Sequence, residues 1–405
     1  MSSFSSFIAQ RLYAQNKKGF SRLIVRIATI AIALSFSVIL LANMIINGFK
    51  SEVQSKMFGL WGQMQIVPYL ENQSYESVPI HLNDTLRQKL LAMSGVEDIR
   101  GTATKAGILK WQEELEGVVV KGLNENWSKE KLQTYFKAGQ FLQLSDTSLH
   151  NEAIISDWMA NRLNIKIGDR CYLYFMDKSP RLRRMQIVGL FHSGIDEYDK
   201  SMVWVDIRHI RKLNAWKAND CGNYEVYGDV KTLTKNQNEW NGMLPQNQIA
   251  VPLRDLKPQI FDWLELQNTN EWVILLVMGG VAIINVISTI LILILERTQM
   301  LGILKAMGAS ESKLFSLFFK YNFRIALKGL VWGNLLAVLI YVVQSNFHLI
   351  KLDEASYFVS FVPMRLQMID YFALNAILMT AILISSIIPL MIIRSLQTVK
   401  LLRWS

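Results

Sequence analysis

Four stretches of this sequence carry no Asp, Glu, Lys or Arg over 22 to 24 residues each. A helix rises about 1.5 Å per residue, so each stretch could cross a hydrocarbon core of about 30 Å. Lipid offers the backbone no hydrogen-bond partners, and a run of this kind therefore has to be helical in a membrane. We predict four transmembrane helices on the uncharged stretches 27–49, 272–295, 329–350 and 371–393.

The composition agrees with a membrane protein. Of 405 residues, 51% are hydrophobic and 19% are charged, and the mean hydropathy is +0.20. These values are too apolar for an ordinary soluble protein, and they exclude a disordered, collagen-like or solenoid chain.

The net charge of +10 is confined to segments beside the apolar stretches. Residues 1–49 hold five basic side chains and no acidic one, 296–328 hold six and two, and 394–405 hold three and none. Residues 50–271 hold 27 basic and 28 acidic side chains, which argues against a nucleic-acid partner. Because Lys and Arg stay preferentially in the cytoplasm, we expect both termini there and residues 50–271 outside.

A cleaved signal peptide is the alternative for the first apolar stretch. Its 23 uncharged residues exceed the usual apolar core of such peptides, and no A-x-A-like site follows, so we favour a membrane helix. The predicted organisation is a cytoplasmic amphipathic N-terminal segment (1–22), spans at 23–49, 272–295, 317–350 and 371–393, an extracytoplasmic domain with a stalk (50–271), a cytoplasmic coupling loop (296–316), a short outer loop (351–370) and a cytoplasmic tail (394–405).

The region 50–271 mixes strand-like and helix-like patterns. A hairpin is predicted from 170–176 and 181–190, a short amphipathic helix from 152–163, and loop with short helix from 234–258. Further strands are predicted at 64–67, 117–121, 201–206 and 223–230, with turns at Gly95, Gly101, Gly107, Gly117 and Gly122. The predicted fold class is therefore an α-helical integral membrane protein with four transmembrane helices and a large α+β extracytoplasmic domain between the first two.

Two features of this domain have alternative interpretations. Residues 48–58 and 256–271 lack strong breakers after Pro258, so they form either a helical stalk or two loops. Cys171 and Cys221 both lie outside the membrane, where a disulfide is possible, although two unpaired buried thiols are favoured.

The sequence lacks the usual signatures of catalysis. It has no G-x-x-x-x-G-K-[ST] nucleotide motif, no G-x-S-x-G nucleophile and no H-E-x-x-H or other close metal-ligand spacing. We therefore expect no catalytic residue, metal or cofactor in this chain, and no enzyme acting alone.

Uncharged polar residues inside the spans suggest packing rather than ion-coupled transport, which usually requires ionisable groups or broken helices in the membrane. Asn43, Asn334 and Asn375 are expected to hydrogen-bond between helices. Gly329 and Gly333 form a G-x-x-x-G whose small residues let a neighbouring helix approach closely.

The loop after the second span contains a short amphipathic segment, 296–310, with apolar residues at helical spacing. Gly308-Ala309-Ser310 is a typical helix stop. Such a helix could dock into a groove on a partner, or it could lie on the lipid surface.

This loop resembles the coupling helix of the permeases of type VII ABC transporters, which include lipoprotein-releasing (Lol) permeases, MacB-type exporters and FtsX division proteins. Met300 stands where the family usually has an acidic residue. The residues that the resemblance assigns to ATPase coupling are Glu296, Arg297, Met300, Gly302, Ile303, Leu304, Lys305, Met307, Gly308, Ala309 and Ser310.

Further matches are closest to the lipoprotein-releasing branch. They include the N-terminal 7–11, the M-x-x-N-G-F run at 44–49, and 193–199, which reads Ser-Gly-x-x-Glu-Tyr-Asp. The tail 399–404 lacks the family's Pro and Glu. The hairpin turn at 177–180 is short where the carrier-binding member of the Lol pair has a long tip, which leaves the other member or a homodimer as alternatives.

The resemblance implies a multi-pass permease of the bacterial inner membrane that pairs with a second permease chain, identical or homologous, and with two copies of an ABC ATPase that hold ATP and Mg²⁺. Its substrates would be lipoproteins taken from membrane lipid, with a periplasmic carrier as a further partner. Phe36, Leu40, Met44 and Ile45 are the candidates for lining a lipid cavity. The alternatives are a MacB-like or FtsX-like mechanotransmission subunit that binds no lipid, and a membrane-anchored sensor or binding protein.

Overall fold

The computed structural model describes residues 20–69, 75–144, 148–176, 180–296, 298–389 and 391. The chain divides into two compact units. The membrane unit comprises Met1–Ser51, Trp263–Lys351 and Phe361–Ser405, and the large domain comprises Glu52–Asp262 and Leu352–Ser360. Most of the predicted N-terminal segment, the predicted tail, turn residues 177–179 and Arg297 lie outside the described residues.

Four helices of the described residues are long and apolar enough to cross a membrane. We call them the first to fourth long helices: Phe20–Trp61, Pro258–Glu296, Glu311–Phe347 and Met368–Ser385. The connecting helix, Thr298–Ala306, joins the second to the third. A large mixed α and β region between the first two long helices completes the predicted fold class, which the structure confirms.

The membrane unit has an apolar core that all four long helices build. The first long helix contributes buried apolar residues over several successive turns, from Val25 to Met44. Core residues include Ile32, Phe36, Ile39, Val286, Ile290, Ile325 and Ile382.

The first two long helices continue well beyond their uncharged stretches. The first runs unbroken to Trp61, and the second begins at Pro258, a residue favoured at the first helical position. Residues 48–58 and 258–271 are therefore helical, so the predicted stalk segments are helices rather than two loops. Glu52–Trp61 belongs to the large domain, although it is part of the same helix as the first span.

The large domain is built on one ten-stranded sheet with the order β10-β1-β9-β2-β3-β8-β5-β7-β4, and β6 pairs with β2 and β7. The strands are β1 Met64–Pro68, β2 Val96–Trp111, β3 Glu114–Leu123, β4 Phe136–Gly139, β5 Glu152–Ser156, β6 Arg170–Met176, β7 Pro180–Phe191, β8 Met202–Asp206, β9 Asn223–Gly228 and β10 Gln248–Pro252.

Six of these strands form a closed ring of pairings. β2 pairs with β3, β3 with β8, β8 with β5, β5 with β7, β7 with β6, and β6 again with β2. The predicted hairpin is the β6–β7 pair, with Arg170 opposite Gln186 and Met176 opposite Pro180.

Short helices connect the strands, and several begin at a side-chain cap. Ser156 ends β5 and its hydroxyl accepts the amide hydrogen of Met159, so a helix starts at once. Asp206 does the same after β8. The short helices are Asp84–Leu91, Glu130–Leu132 (3₁₀), Asp157–Leu163, Asp196–Ser201, Ile207–Asn214, Val230–Lys235, Gln237–Met243, Leu253–Leu256 and Glu354–Tyr357.

Three details of the predicted secondary structure are wrong. The predicted helix 152–163 is a strand as far as Ser156, because β5 lies between β7 and β8 and is buried on both faces. The predicted strand 223–230 ends at Gly228, where Asp229 caps a new helix. The segment 234–258, predicted as loop and short helix, also contains strand β10.

Four of the five glycines predicted to form turns lie inside β2 and β3. Close packing explains two of them. A Cβ on Gly122 would lie 2.7 Å from Cα of Ile207, and one on Gly107 would lie 3.0 Å from the carbonyl oxygen of Tyr174. These glycines allow a neighbouring backbone to approach the strand. Gly95, with φ +83°, does form a turn.

Candidate functional site

The connecting helix ends at a glycine C-cap motif. Gly308 has φ +85°, a conformation that costs a glycine little. Its amide donates to the carbonyl of Lys305 at 3.0 Å, and the amide of Ala309 donates to that of Leu304 at 2.9 Å. This pair of bonds is a Schellman motif, which satisfies the last carbonyls of the helix. Ser310 then starts the third long helix.

The connecting helix has one buried and one exposed apolar side. Leu301 is buried in the core of the membrane unit, and Leu304 packs against that core. Ile303 and Met307, one turn apart, are 54% and 78% exposed. The inner side therefore fixes the helix to the long helices, and the outer side offers an apolar pair to a partner.

The other predicted coupling residues surround this outer pair. Glu296 is exposed at the end of the second long helix, Met300 is half-buried and Gly302 is buried. Lys305 forms an ion pair with Glu311 at 3.5 Å, which links the helix to the start of the third long helix. Arg297 lies outside the described residues.

The lipid cavity predicted from the first long helix stays a prediction. Within this chain, Phe36, Leu40 and Met44 are buried against the chain's own helices. Ile45 is half-buried. Helical periodicity fixes which residues share a face but does not determine which face is covered. The exposed apolar stripe of this helix consists of Leu23, Ile27, Ile30, Leu34 and Val38.

Gly329 and Gly333 lie where the third long helix meets the first. A Cβ on Gly333 would lie 2.6 Å from the carbonyl oxygen of Ala33 and 2.7 Å from Cβ of Phe36. A Cβ on Gly329 would collide with the side chain of Ile32. The two backbones therefore approach to a distance that a larger residue would prevent.

Amide side chains join the long helices to one another. Asn334 and Asn375 exchange hydrogen bonds of 2.8 and 3.1 Å between the third and fourth long helices. Asn43 donates to the carboxylate of Glu271 at 2.6 Å, which joins the first to the second. Such bonds between helices replace partners that lipid cannot provide.

Within the large domain, side chains from the sheet and from the loop before β4 hydrogen-bond to the last part of the first long helix. Lys121 of β3 donates to the carbonyl of Leu60 at 2.8 Å and forms an ion pair of 2.8 Å with Glu225 of β9. The two side chains are only 4% and 1% exposed. Tyr135 donates to the carbonyl of Lys56 at 3.0 Å. Burial raises the pKa of Tyr135, so its hydroxyl stays a donor.

This buried ion pair was missed from the sequence. Its members lie 104 positions apart in a domain whose charges balance, so only the pairing of β2 with β3 and β9 brings them together. The end of the helix that carries the first span is consequently fixed to the sheet by a charge as well as by apolar contacts.

Both cysteines are free buried thiols, so the disulfide alternative is not realised. Burial raises the pKa of Cys171 to about 12 and also raises that of Cys221. In the described part of the chain, no group of three or more His, Cys, Asp or Glu side chains could hold a metal ion.

Two family models divide the chain where the second long helix begins. The MacB-like periplasmic core domain matches residues 27–257, and the FtsX-like permease C-terminal region matches residues 272–398. The first match alone covers more than half of the chain.

Individual relatives span nearly the whole chain. The lipoprotein-releasing system transmembrane protein LolC of Neisseria meningitidis serogroup B is 24% identical over 91% of this chain and 92% of its own length. LolE of Haemophilus influenzae is 21% identical over 98% of each. The solved periplasmic region of MacB from Actinobacillus actinomycetemcomitans is 12% identical over 52% of this chain and 97% of that chain, with a TM-score of 0.36.

Proposed function

Because the chain belongs to the family of permeases that join a MacB-like periplasmic core domain to an FtsX-like permease region, we propose that it releases lipoproteins from a membrane. It is a multi-pass protein of the inner membrane. In this proposal it is the permease subunit of an ABC transporter that extracts lipoproteins from the inner membrane for delivery to the outer membrane.

The observation that carries the proposal is the extent of similarity to proteins named for lipoprotein release. LolC of Neisseria meningitidis aligns over more than nine-tenths of both chains, so the membrane helices and the large domain follow in the same order. A sensor that used its spans only as anchors would have no need for an exposed apolar pair on the connecting helix.

The energy source in this proposal is a separate ATPase, present in two copies that hold ATP and Mg²⁺. The sequence of this chain has no phosphate-binding loop of its own. The ATPase would dock on Ile303 and Met307 and push on the connecting helix as it closes. A second permease chain, identical or homologous, would complete the transporter, and a periplasmic carrier would accept the released lipoprotein.

The continuous long helices suit the transmission of such a push. The connecting helix follows the second long helix almost directly, and that helix begins at Pro258, a residue of the large domain. At the end of the first long helix, Lys121 donates to the carbonyl of Leu60, and Tyr135 donates to that of Lys56 about one turn earlier. A tilt of the spans would therefore move the large domain, with both termini in the cytoplasm as the excess of basic residues favours.

The energetic demand explains why ATP is required. Each CH₂ group that leaves lipid for water costs about 0.8 kcal/mol, so removing three acyl chains costs on the order of tens of kcal/mol. Spontaneous release on that scale is negligible. ATP-driven motion, combined with transfer to another apolar site, lowers the barrier.

The test is to deplete the protein in its host and to follow newly made outer-membrane lipoproteins by membrane fractionation. We expect them to accumulate in the inner membrane, while outer-membrane proteins without a lipid anchor sort normally. Normal lipoprotein sorting, with a defect in efflux or cell-wall hydrolysis instead, would replace this function by mechanotransmission without lipid release.

A further inference from the structure

The segment that joins the third and fourth long helices belongs to the large domain rather than to the membrane unit. Leu352–Ser360 is part of the large domain, and its neighbours Lys351 and Phe361 are part of the membrane unit. The segment contains one helical turn, Glu354–Tyr357, and the buried side chain of Val359. It is therefore joined to the membrane unit at both of its ends, which adds two covalent connections to those made by the first two long helices.

Charged contacts hold this segment on the domain. One carboxylate oxygen of Glu354 lies 3.2 Å from Nζ of Lys56, and the other lies 3.0 Å from Nε2 of His192. Nζ of Lys56 also donates to the carbonyl of Phe358 at 2.9 Å, which caps the single helical turn. Lys56 itself is on the outer part of the first long helix.

Both ring nitrogens of His192 face carboxylates. Nδ1 lies 2.9 Å from Oδ1 of Asp157 and 3.7 Å from Oδ2 of Asp199, whereas Nε2 faces Glu354. A neutral imidazole has one N–H donor and one acceptor, so only the protonated ring can donate on both sides. The geometry therefore selects the imidazolium form.

The backbone around His192 is shaped for this cluster. Asp199 accepts the amide hydrogens of Ser193 and Gly194 at 2.9 and 3.0 Å, and the Ser193 hydroxyl at 2.7 Å. Gly194 has φ +70°, and a Cβ on it would collide with Nζ of Lys56 and Oε1 of Glu354. These contacts give a physical role to the 193–199 run, which the sequence showed only as a resemblance.

We propose that Glu354 is a positioning residue, which with Lys56 and His192 forms a proton-dependent latch that makes the segment between the third and fourth long helices move with the large domain. The latch rests on the proposed function in one respect. Through it, movement of the third and fourth spans would be transmitted to the large domain, which the first two spans also move. Its existence as a structural contact does not depend on the cargo.

The pH range of the latch follows from its charged groups. Burial alone lowers the pKa of His192, but its hydrogen bonds to Asp157 and Glu354 outweigh this, and the pKa ends above its ordinary 6.5. Burial likewise opposes ionisation of Glu354, yet His192 and Lys56 bring its pKa below its ordinary 4.5. Burial raises the pKa of Asp199, which faces the same ring.

These directions fix the sign of the pH effect. The contribution of His192 is complete below about pH 6.5 and is lost as pH rises through its higher pKa in the folded protein. The contribution of Glu354 is complete above about pH 4.5 and is lost below it. The latch is therefore strongest in the mildly acidic range between these values and weakens as pH rises through the raised pKa of His192.

Hydrogen exchange of the full-length protein in lipid nanodiscs tests the latch directly. After correction for intrinsic exchange, we expect the amides of Tyr357 and Phe358 to exchange about tenfold faster at pH 8.5 than at pH 6, because a charge-assisted contact is lost. Glu354→Gln should exchange fast at both pH values. His192→Gln should abolish the pH dependence.

Glu116→Gln is the matched control, since Glu116 pairs with Arg162 at 3.0 Å and is 21% exposed, against 27% for Glu354. It should behave like the wild type. Equal exchange in Glu354→Gln and Glu116→Gln, or exchange that is independent of pH in the wild type, would overturn the latch whatever the cargo is.

In the assembled transporter, Glu354→Gln should retain ATP hydrolysis and release several-fold less lipoprotein per ATP. Unchanged release would overturn the role in coupling, while normal sorting on depletion of the wild type would overturn only the proposed function.

Discussion

The stability of this domain depends on both partners of the buried ion pair between Lys121 and Glu225. Each satisfies the other, and Lys121 also caps the last turn of the first long helix. The hydroxyl of Tyr227 donates to Glu225 at 2.9 Å, so the carboxylate has further support. A buried pair of this kind contributes little net stability, but the loss of one partner leaves an uncompensated charge.

We therefore predict that Lys121→Met destabilises the protein by about 3–5 kcal/mol. Thermal unfolding of the purified full-length protein in detergent, followed by the fluorescence of its tryptophans, would measure the loss. The double variant Lys121→Met with Glu225→Leu should recover much of it, because no charge is then left buried. A single variant as stable as the wild type would show that water reaches this pair.

A second prediction at the residue scale concerns the glycines of the long helices. Gly333→Ala places a methyl group against Ala33 and Phe36, and overpacking of this kind costs about 1–3 kcal/mol. A methyl group on Gly280 of the second long helix would meet open space instead, so Gly280→Ala should be neutral or gain up to about 1 kcal/mol from helix propensity. Thermal unfolding of the two variants side by side would compare them, and equal effects would contradict the close packing.

At the scale of elements, the sequence predicts best where one physical constraint dominates. The need to satisfy the backbone in lipid identified all four long helices, and the alternation and turn residues identified the β6–β7 hairpin. Strand β5 was missed because two buried faces remove the alternation that marks a strand. Gly107 and Gly122 resembled turn signals because the neighbouring backbones that require them, at Tyr174 and Ile207, are remote in sequence.

The connecting helix shows the same limit within the candidate site. Spacing predicted an amphipathic helix and its stop at Gly308, and the structure has both. Spacing alone could not separate Leu301 and Leu304, which pack inward, from Ile303 and Met307, which are exposed. Burial is a property of the tertiary packing, which spacing alone does not determine; Phe36, Leu40 and Met44 are likewise buried within the chain.

This division of the connecting helix leads to a prediction about the partner. Met307→Ser should weaken association with the ATPase about tenfold, because it removes exposed apolar area that a docked partner would cover, and it should leave thermal unfolding unchanged. Co-purification of the ATPase at increasing salt and detergent concentration would measure this. Met368→Ser is the control, since Met368 is also an exposed methionine but lies at the start of the fourth long helix. Equal recovery with both variants would exclude Met307 from the docking surface.

At the scale of the whole molecule, charge and helix continuity work together. The basic residues next to the spans favour one orientation of the membrane helices. The first two long helices continue unbroken into the large domain, so the same orientation determines the side of the membrane on which the domain is expected. With that orientation, we expect the proposed ATPase and the proposed latch on opposite sides of the membrane. Because the connecting helix precedes the third long helix and Leu352–Ser360 follows it, one crossing separates them.

Labelling with a membrane-impermeant maleimide would test this orientation. Cysteine placed at Ser356, an exposed residue of the latch segment, should react in intact spheroplasts, whereas cysteine at the exposed Ser310 should react only after the membrane is permeabilised. Background labelling should be low, because Cys171 and Cys221 are buried and their raised pKa values keep the thiols protonated near neutral pH. Reaction of both introduced cysteines from the same side would contradict a single crossing, and reaction of Ser310→Cys alone in intact spheroplasts would invert the orientation and separate the connecting helix from any cytoplasmic ATPase.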